Sequence, residues 1–287
     1  MHPPCFFRSN RLVHYLMCSL FTCGLFTCGP APENGGLVQG ELITLTRDSL
    51  SLTVDPSYGG RLISVKYGER ELLSTVRDSM GFRYGSTAWA SPQADWGWPP
   101  PAALDRDPYT VQQVEAHSVL LKGKETEDGL VLQKRYRLGP DSDIGLTYWL
   151  TYNGDTMRSV AAWEVTRLPY RGRIEFYADS VRSERTENLL TSRDSFHTIY
   201  FDERHTAPGK VFATLDSVPA RYFVDDLVLE KHTVVTELHR VAPGQAPLEI
   251  YVDPPKQFAE FELQGDYRAL RYGETATLRT RWRVTPL

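Results

Sequence analysis

Residues 144–152 read IGLTYWLTY, and large apolar side chains stand at every second position of this run. Successive side chains of a strand point to opposite faces of its sheet, so this period of two is typical of a half-buried antiparallel strand. The same alternation occurs at residues 50–54, 130–138 and 276–284. The arginines at alternate positions of the last run are expected to form a solvated face. The pattern predicts an all-β protein.

Short clusters of Gly, Pro, Asn and Asp separate these runs and mark turns between strands. The clusters lie at residues 55–60, 67–68, 139–143, 153–155, 242–244, 253–255 and 272–274. No helix longer than a turn or two is expected, and residues 69–78 are the best short candidate. Because no internal repeat or interdomain linker interrupts the pattern, residues 37–287 are predicted to form one large antiparallel β-sandwich.

A second stretch, residues 82–101, reads FRYGSTAWASPQADWGWPPP and contains three of the six tryptophans. Gly97 and the three prolines that end the stretch oppose both a helix and a central strand, so we expect a shaped loop. Indole faces beside amide, carboxylate and guanidinium groups suit a sugar, whose C–H faces stack while its hydroxyls need directed partners. The alternative is a stiff loop whose tryptophans plug the end of a β-core. The candidate binding residues are Arg83, Trp89, Gln93, Asp95, Trp96 and Trp98.

The composition narrows the classes of function. A net charge of -4 and a pI near 6.0 argue against a nucleic-acid partner, which usually leaves a basic footprint. The chain has no Gly-rich phosphate loop, no His-Glu-x-x-His zinc motif and no Gly-x-Ser-x-Gly elbow. Residues 139–145 are acidic but short of calcium ligands, so a polar turn is expected there. We therefore expect neither a metal nor a cofactor.

The N-terminus has the pattern of a targeting signal. All four cysteines lie in the first 28 residues, so the rest of the chain offers no disulfide or cysteine nucleophile. Two arginines precede a short apolar run at 12–26, which is less than the roughly 20 residues of a spanning helix. The sequence LFTCG then occurs twice, around Cys23 and around Cys28, and resembles a bacterial lipoprotein signal.

These features predict three segments. Residues 1–28 are predicted to be the signal, with Cys28 as the lipidated residue, although Cys23 and a plain secretory signal remain open. Residues 29–36 are predicted to be a flexible tether to the sandwich. The expected location is the periplasm or cell envelope, with the N-terminal lipid as the only contact with a membrane.

Four segments, taken in order, resemble the galactose mutarotase-like, or aldose 1-epimerase, superfamily. They are SLTVDPSYGGRLISVKYGERELL (51–73), FRYGSTAWASPQADWGW (82–98), LTYWLTYNGDTMRSVAAWEVTRL (146–168) and FELQGDYRALRYGETATLRTRWRV (261–284). The combination of SPQADWGWPPP and AAWEVTR is most similar to a poorly characterised bacterial branch found in secreted proteins and lipoproteins. The resemblance spans roughly residues 41–285 and implies a β-supersandwich with a groove across one sheet.

Mutarotation needs a base for the anomeric hydroxyl proton and an acid that protonates the ring oxygen. The resemblance implies that the base is Glu262, in the Glu-x-Gln motif. The family's histidines have no counterpart, because the two corresponding motifs read Trp96-Gly97-Trp98 and Ala162-Trp163-Glu164. One hypothesis is therefore that Glu164 replaces the missing acid and pairs with Glu262, as two carboxylates pair in glycosidases.

A second hypothesis is that the groove only binds a mono- or oligosaccharide. The stacking faces would be Trp89, Trp96, Trp98 and Trp163. Arg83 and Arg167 would clamp a hydroxyl or an acidic sugar through the planar guanidinium fork. A third hypothesis is a structural envelope lipoprotein whose aromatic loop docks a partner protein through an apolar patch. The sequence favours carbohydrate binding and leaves enzymatic activity open.

Overall fold

The computed structural model describes residues 40–77, 83–214, 219–233 and 240–287. These residues pack as one unit. The predicted signal, its lipidation site Cys28 and the predicted tether lie outside the described residues. Where the chain is described, no helix is long and apolar enough to cross a membrane.

The described residues form 21 strands in two antiparallel sheets. The strands are β1 (Ile43–Arg47), β2 (Leu50–Asp55), β3 (Arg61–Tyr67), β4 (Arg70–Glu71), β5 (Ser86–Ser91), β6 (Thr110–Glu115), β7 (Ser118–Glu125), β8 (Leu130–Leu138), β9 (Asp143–Tyr152), β10 (Arg158–Pro169), β11 (Arg173–Tyr177), β12 (Val181–Glu184), β13 (Leu190–Arg193), β14 (Phe196–Tyr200), β15 (Gly209–Ala213), β16 (Ala220–Val224), β17 (Leu227–Thr233), β18 (Leu248–Asp253), β19 (Phe258–Gln264), β20 (Arg268–Leu270) and β21 (Thr275–Pro286).

Sheet A has the order β1-β2-β3-β5-β10-β19-β18-β15-β12, with β4 added to β3 and β20 added to β10. Sheet B has the order β13-β14-β11-β16-β17-β21-β9-β8-β7-β6. The predicted all-β class and the antiparallel sandwich are thus confirmed. The one α-helix in the described part, α1 (Ala102–Asp105), is a single turn, and 3-10 turns occur at Gln93–Asp95 and Pro254–Lys256.

The core lies between the two sheets and uses the predicted alternation. Every second residue of β9, from Ile144 to Tyr152, is buried, and the same holds for β2 and for β21 as far as Val284. The intervening arginines of β21 are exposed, as expected. Burial of one face on each strand is what produces the period of two in the sequence.

Charged groups also lie between the sheets. The Lys231 ammonium of β17 is 2.7 Å from Glu164 Oε1 of β10, and both side chains are fully buried. Arg61 and Asp105 form a second buried pair, at 2.8 Å. Lys134 of β8 donates to the Gly59 carbonyl and to the Thr87 hydroxyl, and burial lowers the pKa of this lysine to about 7. These bonds satisfy groups whose burial alone would be costly.

Two local predictions were wrong. Residues 69–77 contain the short strand β4 and no helix, because the Glu71 carboxylate accepts the backbone amides of Val65, Leu72 and Leu73. The stretch 82–101 is not all loop, since β5 crosses sheet A as an interior, fully buried strand. The glycine and prolines that argued against a strand come after β5 and shape only the second half of the stretch.

Candidate functional site

The outer face of sheet A, which points away from sheet B, is defined by the alternation of β10. Glu164 accepts hydrogen bonds from Thr280 (2.5 Å) and Trp282 (3.3 Å) of sheet B, so it points inward. Neighbouring residues of a strand point to opposite faces, so Trp163 and Val165 point outward. These two residues form, with Trp89 and the half-buried Trp96, an apolar cluster separate from the main core.

Strand pairing places two polar rows across this outer face. In the first row, Arg167 of β10 pairs with Glu260 of β19, Glu260 with Tyr251 of β18, and Tyr251 with Lys210 of β15. In the second row, Val165 is followed by Glu262 of β19 and Glu249 of β18. Adjacent strands are about 4.8 Å apart, so the polar side chains of the two rows lie side by side.

A groove of about 650 Å³ lies over this face. Its aromatic lining comes from Trp89, Trp98, Trp163, Tyr251 and Phe258. Its polar lining comes from Arg83, Gln93, Glu184, Arg185, Lys210, Asp253, Lys256 and Glu260. The volume is within the range of small-molecule binding pockets, which is about 300–1,000 Å³.

The tryptophans at the groove differ in exposure. Trp89 and Trp163 are each 2% exposed and meet edge to face, with ring centroids 5.3 Å apart. Trp98 is 54% exposed and contacts the edge of Trp89 at 6.1 Å. Trp96 packs behind them and donates its indole N–H to the Ala90 carbonyl. Trp89 and Trp163 therefore build the wall, and more than half of Trp98 is exposed to solvent.

Lys210 joins two buried carboxylates at the groove. Its Nζ lies 2.5 Å from Glu249 Oε2 and 3.0 Å from Glu262 Oε2, and 5.1 Å from the Trp163 ring centroid. Burial favours the neutral amine, but the two carboxylates outweigh burial and raise the pKa of Lys210. Burial likewise raises the pKa of Glu262, while Lys210 opposes this change. The Trp163 indole N–H also donates to Glu262 Oε2, at 2.9 Å.

Arg167 and Glu260 form a second charged pair on the same face. Arg167 Nε donates to Glu260 Oε1 at 2.8 Å, and its guanidinium lies 4.8 Å from the Trp89 ring centroid. Burial raises the pKa of Glu260 and lowers the pKa of Arg167, and in each case the partner's charge opposes the change. The pair therefore carries a desolvation cost at a position that lines the groove.

Several buried polar atoms on this face have no hydrogen-bond partner within the described residues. They are Ser91 Oγ, both Arg167 Nη atoms, Asp253 Oδ1, Glu262 Oε1 and Gln264 Oε1. Buried polar atoms of folded proteins are nearly always paired, and exceptions concentrate where function requires them. Their accumulation below one groove marks this face as a candidate site.

The structure does not bring the two carboxylates of the hypothesised catalytic pair together on one face of sheet A. Glu262 lies on the groove face, as its Glu-x-Gln position implied. Glu164 lies on the opposite face of sheet A, where it is committed to Lys231. Because Glu164 follows the outward-facing Trp163 directly, its inward direction is a consequence of strand geometry.

The other predicted residues are distributed as follows. Arg83, Trp89, Gln93, Trp98 and Trp163 line the groove. Arg167 lies beneath it, bonded to Glu260. Asp95 is exposed on a 3-10 turn, and neither it nor Trp96 is a lining residue.

Sequence reasoning missed the polar residues of β15 and β18. Residues 248–253 read LEIYVD, in which Glu249, Tyr251 and Asp253 alternate with apolar residues. This alternation was a usable signal for a polar face on an interior strand. The position of Lys210 opposite Tyr251 depends on long-range pairing, which no local pattern reveals. Over the described residues, no group of three or more His, Cys, Asp or Glu side chains is arranged to hold a metal ion.

Two stacked antiparallel sheets of this order, with a groove on the outer face of one, define a galactose mutarotase-like fold. The chain is similar to a candidate aldose 1-epimerase from Escherichia coli K12, with a TM-score of 0.62, 16% identity and coverage of 86% of this chain and 99% of that chain. It is also similar to a galactose mutarotase-like protein from Lactobacillus casei, with a TM-score of 0.62, 10% identity and coverage of 85% and 100%.

A third similar structure is the aldose epimerase homologue from C. elegans, with a TM-score of 0.56, 11% identity and coverage of 86% and 99%. No protein-family model matches the chain, and no curated protein matches it. At identities this low, the likeness shows the fold alone.

Proposed function

We propose that the groove on sheet A binds a mono- or oligosaccharide. The observation that carries the proposal is that one cavity combines the half-exposed ring of Trp98 with the charged groups of Lys210, Asp253 and Glu260. Sugars need both kinds of surface, because their C–H faces stack on aromatic rings while their hydroxyls take directed hydrogen bonds. The fold is consistent with a carbohydrate-related function.

The lining also distinguishes a sugar from a protein partner. A surface that docks a protein through hydrophobic burial presents a contiguous apolar patch. Here the groove lining is mixed, with carboxylates and ammonium groups placed beside aromatic side chains. A ligand rich in hydroxyl groups matches this mixture better than an apolar peptide face does.

A ligand screen tests the proposal. Tryptophan fluorescence and calorimetry would follow the purified protein with glucose, galactose, cellobiose, maltose and galacturonate. Trp98→Ala removes the exposed stacking face and is expected to weaken binding about 5- to 30-fold, since stacking and buried area contribute about 1–2 kcal/mol.

Trp149→Ala is the matched control. Trp149 is half-buried on β9 and points away from the core residues Tyr148 and Leu150, on the outer face of sheet B. Its loss is expected to leave sugar affinity unchanged. Absence of binding to every sugar would reject the proposal and favour a protein-docking role. Equal effects of the two substitutions would reject the stacking role of Trp98.

Epimerisation of the bound sugar is a second candidate function. It is favoured by Glu262, a buried carboxyl on the groove face whose pKa is raised by burial. NMR exchange spectroscopy of a bound aldose would measure interconversion of its anomers, with Glu262→Gln as the comparison. Acceleration by the wild type alone would support an epimerase. Binding without acceleration would leave the protein as a binder.

A further inference from the structure

We propose that Glu260 and Lys210 are the charged groups that contact the sugar, and that Glu262 positions Lys210 without touching the ligand. This assignment rests on the proposed function and specifies which residues of the groove perform it. It differs from what the family resemblance implies, which places Glu262 at the ligand.

Exposure separates the two glutamates of β19. Both point to the outer face, since they are two residues apart on one strand. The side chain of Glu260 is 15% exposed and lines the groove, whereas that of Glu262 is 0% exposed. Glu260 Oε1 accepts from Arg167, and no donor in the described part of the chain reaches its Oε2. A carboxylate oxygen at the groove can therefore accept a sugar hydroxyl.

Lys210 supplies the complementary donor. An ammonium group has three N–H donors; here one bonds to Glu262, and the Glu249 carboxylate lies 2.5 Å from Nζ as an ion pair. The side chain is 18% exposed and lines the groove, so the third N–H is available to a ligand oxygen. The Trp163 and Phe212 ring centroids lie 5.1 and 5.4 Å from Nζ, within cation–π distance of the ammonium.

Glu262 is bonded in a way that fits a positioning role. Its Oε2 receives both the Trp163 indole N–H and the Lys210 ammonium. The carboxylate thus lies below the lysine and keeps the ammonium at one point of the groove wall. Its Oε1 has no partner among the described residues, but the side chain is fully buried, so a sugar in the groove meets the exposed parts of Lys210 and Glu260 first.

The spacing of the pair suits one sugar ring. Glu260, Tyr251 and Lys210 follow one another across three adjacent strands. Two strand spacings put the first and last Cα atoms about 10 Å apart, and both side chains line the same groove. A sugar hydroxyl both donates and accepts, so hydroxyls along one edge of a ring can bond to the carboxylate and to the ammonium.

The first test compares Glu260→Gln with Glu230→Gln. Glu230 accepts from Arg221 Nε at 2.7 Å on sheet B, so it reproduces the Glu260–Arg167 geometry far from the groove. The probe is the sugar of the named panel that binds the wild type most tightly. Glu260→Gln is expected to weaken its binding about tenfold or more, because hydrogen bonds to charged groups are strong. Equal affinities of the two variants would overturn the assignment of Glu260.

The second test follows Lys210 by acetic anhydride labelling and mass spectrometry, with Lys122, which is exposed on β7 of sheet B, as the internal reference. Glu262→Gln removes one of the two carboxylates that hold the proton on Lys210, so Lys210 is expected to acylate several-fold faster than in the wild type. The sugar probe is expected to protect Lys210 in the wild type. Unchanged acylation in Glu262→Gln, or no protection by a bound sugar, would overturn the roles of Glu262 and Lys210.

These measurements distinguish a failure of the proposed sugar binding from a failure of the roles assigned to Glu260, Lys210 and Glu262. If no sugar binds the wild type, the proposed function fails and the sugar-contact assignment fails with it. The acylation rate without sugar still decides whether Glu262 controls Lys210. A third outcome is that sugar binds the wild type, that Glu262→Gln weakens binding as much as Glu260→Gln does, and that Lys210 of Glu262→Gln acylates at the wild-type rate. In that case the proposed function stands, and Glu262 itself contacts the ligand.

Discussion

Lys231→Met is expected to destabilise the protein strongly, because it leaves a carboxylate uncompensated between the sheets. Lys231 Nζ contacts Glu164 Oε1 at 2.7 Å, the Thr166 hydroxyl at 2.8 Å and the Phe261 carbonyl at 2.9 Å. Burial already lowers the pKa of Lys231, and the Glu164 charge opposes this change. The substitution keeps the volume of the side chain and removes only its ammonium.

Removing one partner of a buried pair costs about 3–5 kcal/mol in the free energy of unfolding. In a domain of about 150–250 residues, 1 kcal/mol shifts Tm by roughly 2–4 °C. The expected decrease in Tm is therefore about 6–20 °C. Thr280 and Trp282 still donate to Glu164 in the variant, so the lower half of this range is expected.

Urea unfolding followed by circular dichroism measures the loss, with the double variant Glu164→Gln/Lys231→Met as the control. The double variant has no buried charge at this position and is expected to recover part of the stability. A loss below about 1 kcal/mol in Lys231→Met would refute the reasoning, as would a double variant no more stable than the single one.

Two further predictions concern the contacts of β8 and of the turn before β3. Burial lowers the pKa of Lys134 from 10.5 to about 7, so between these pH values the unfolded chain binds more protons than the folded protein does. The free energy of unfolding of the wild type is therefore expected to rise with pH from about 7 to 10 through this residue, and that of Lys134→Met is expected to lack this rise. Parallel pH dependences of the two unfolding free energies would contradict the argument. Gly59→Ala places a Cβ 1.9 Å from the Asp105 carbonyl at a φ of +68°, whereas Gly68→Ala has a similar φ of +60° and nothing within 4 Å. Thermal unfolding is expected to show a larger decrease in Tm for Gly59→Ala, and equal decreases would exclude a role for the clash.

The sequence predicted the strands whose faces differ in environment. Residues 144–152 and 276–284 alternate because one face packs in the core and the other meets solvent. β5 was not anticipated, because both of its faces are buried and it is followed directly by a turn rich in glycine and proline. Alternation identifies a strand only when its two faces differ.

The site was predictable only as far as local geometry reaches. Alternation along β19 correctly placed Glu260 and Glu262 on one face, and the same rule applied to β10 would have separated Glu164 from Trp163. The contact of Lys210 with Glu249 and Glu262 joins β15 to the consecutive strands β18 and β19, which come much later in the chain. Such contacts follow from strand order and register, which hydrophobic patterns do not determine.

The polar bonds between the sheets have a consequence for how the sandwich is aligned. An apolar layer alone is non-directional and tolerates one sheet sliding over the other. Three directed contacts oppose such sliding. Lys231 forms an ion pair with Glu164, Lys134 donates to the Gly59 carbonyl, and the Tyr136 hydroxyl donates to the Gly60 carbonyl. All three contacts form at the same time only in one alignment of the two sheets. The groove lies on the reverse side of β10, the strand that carries Glu164, so its shape is determined partly by bonds that no ligand contacts.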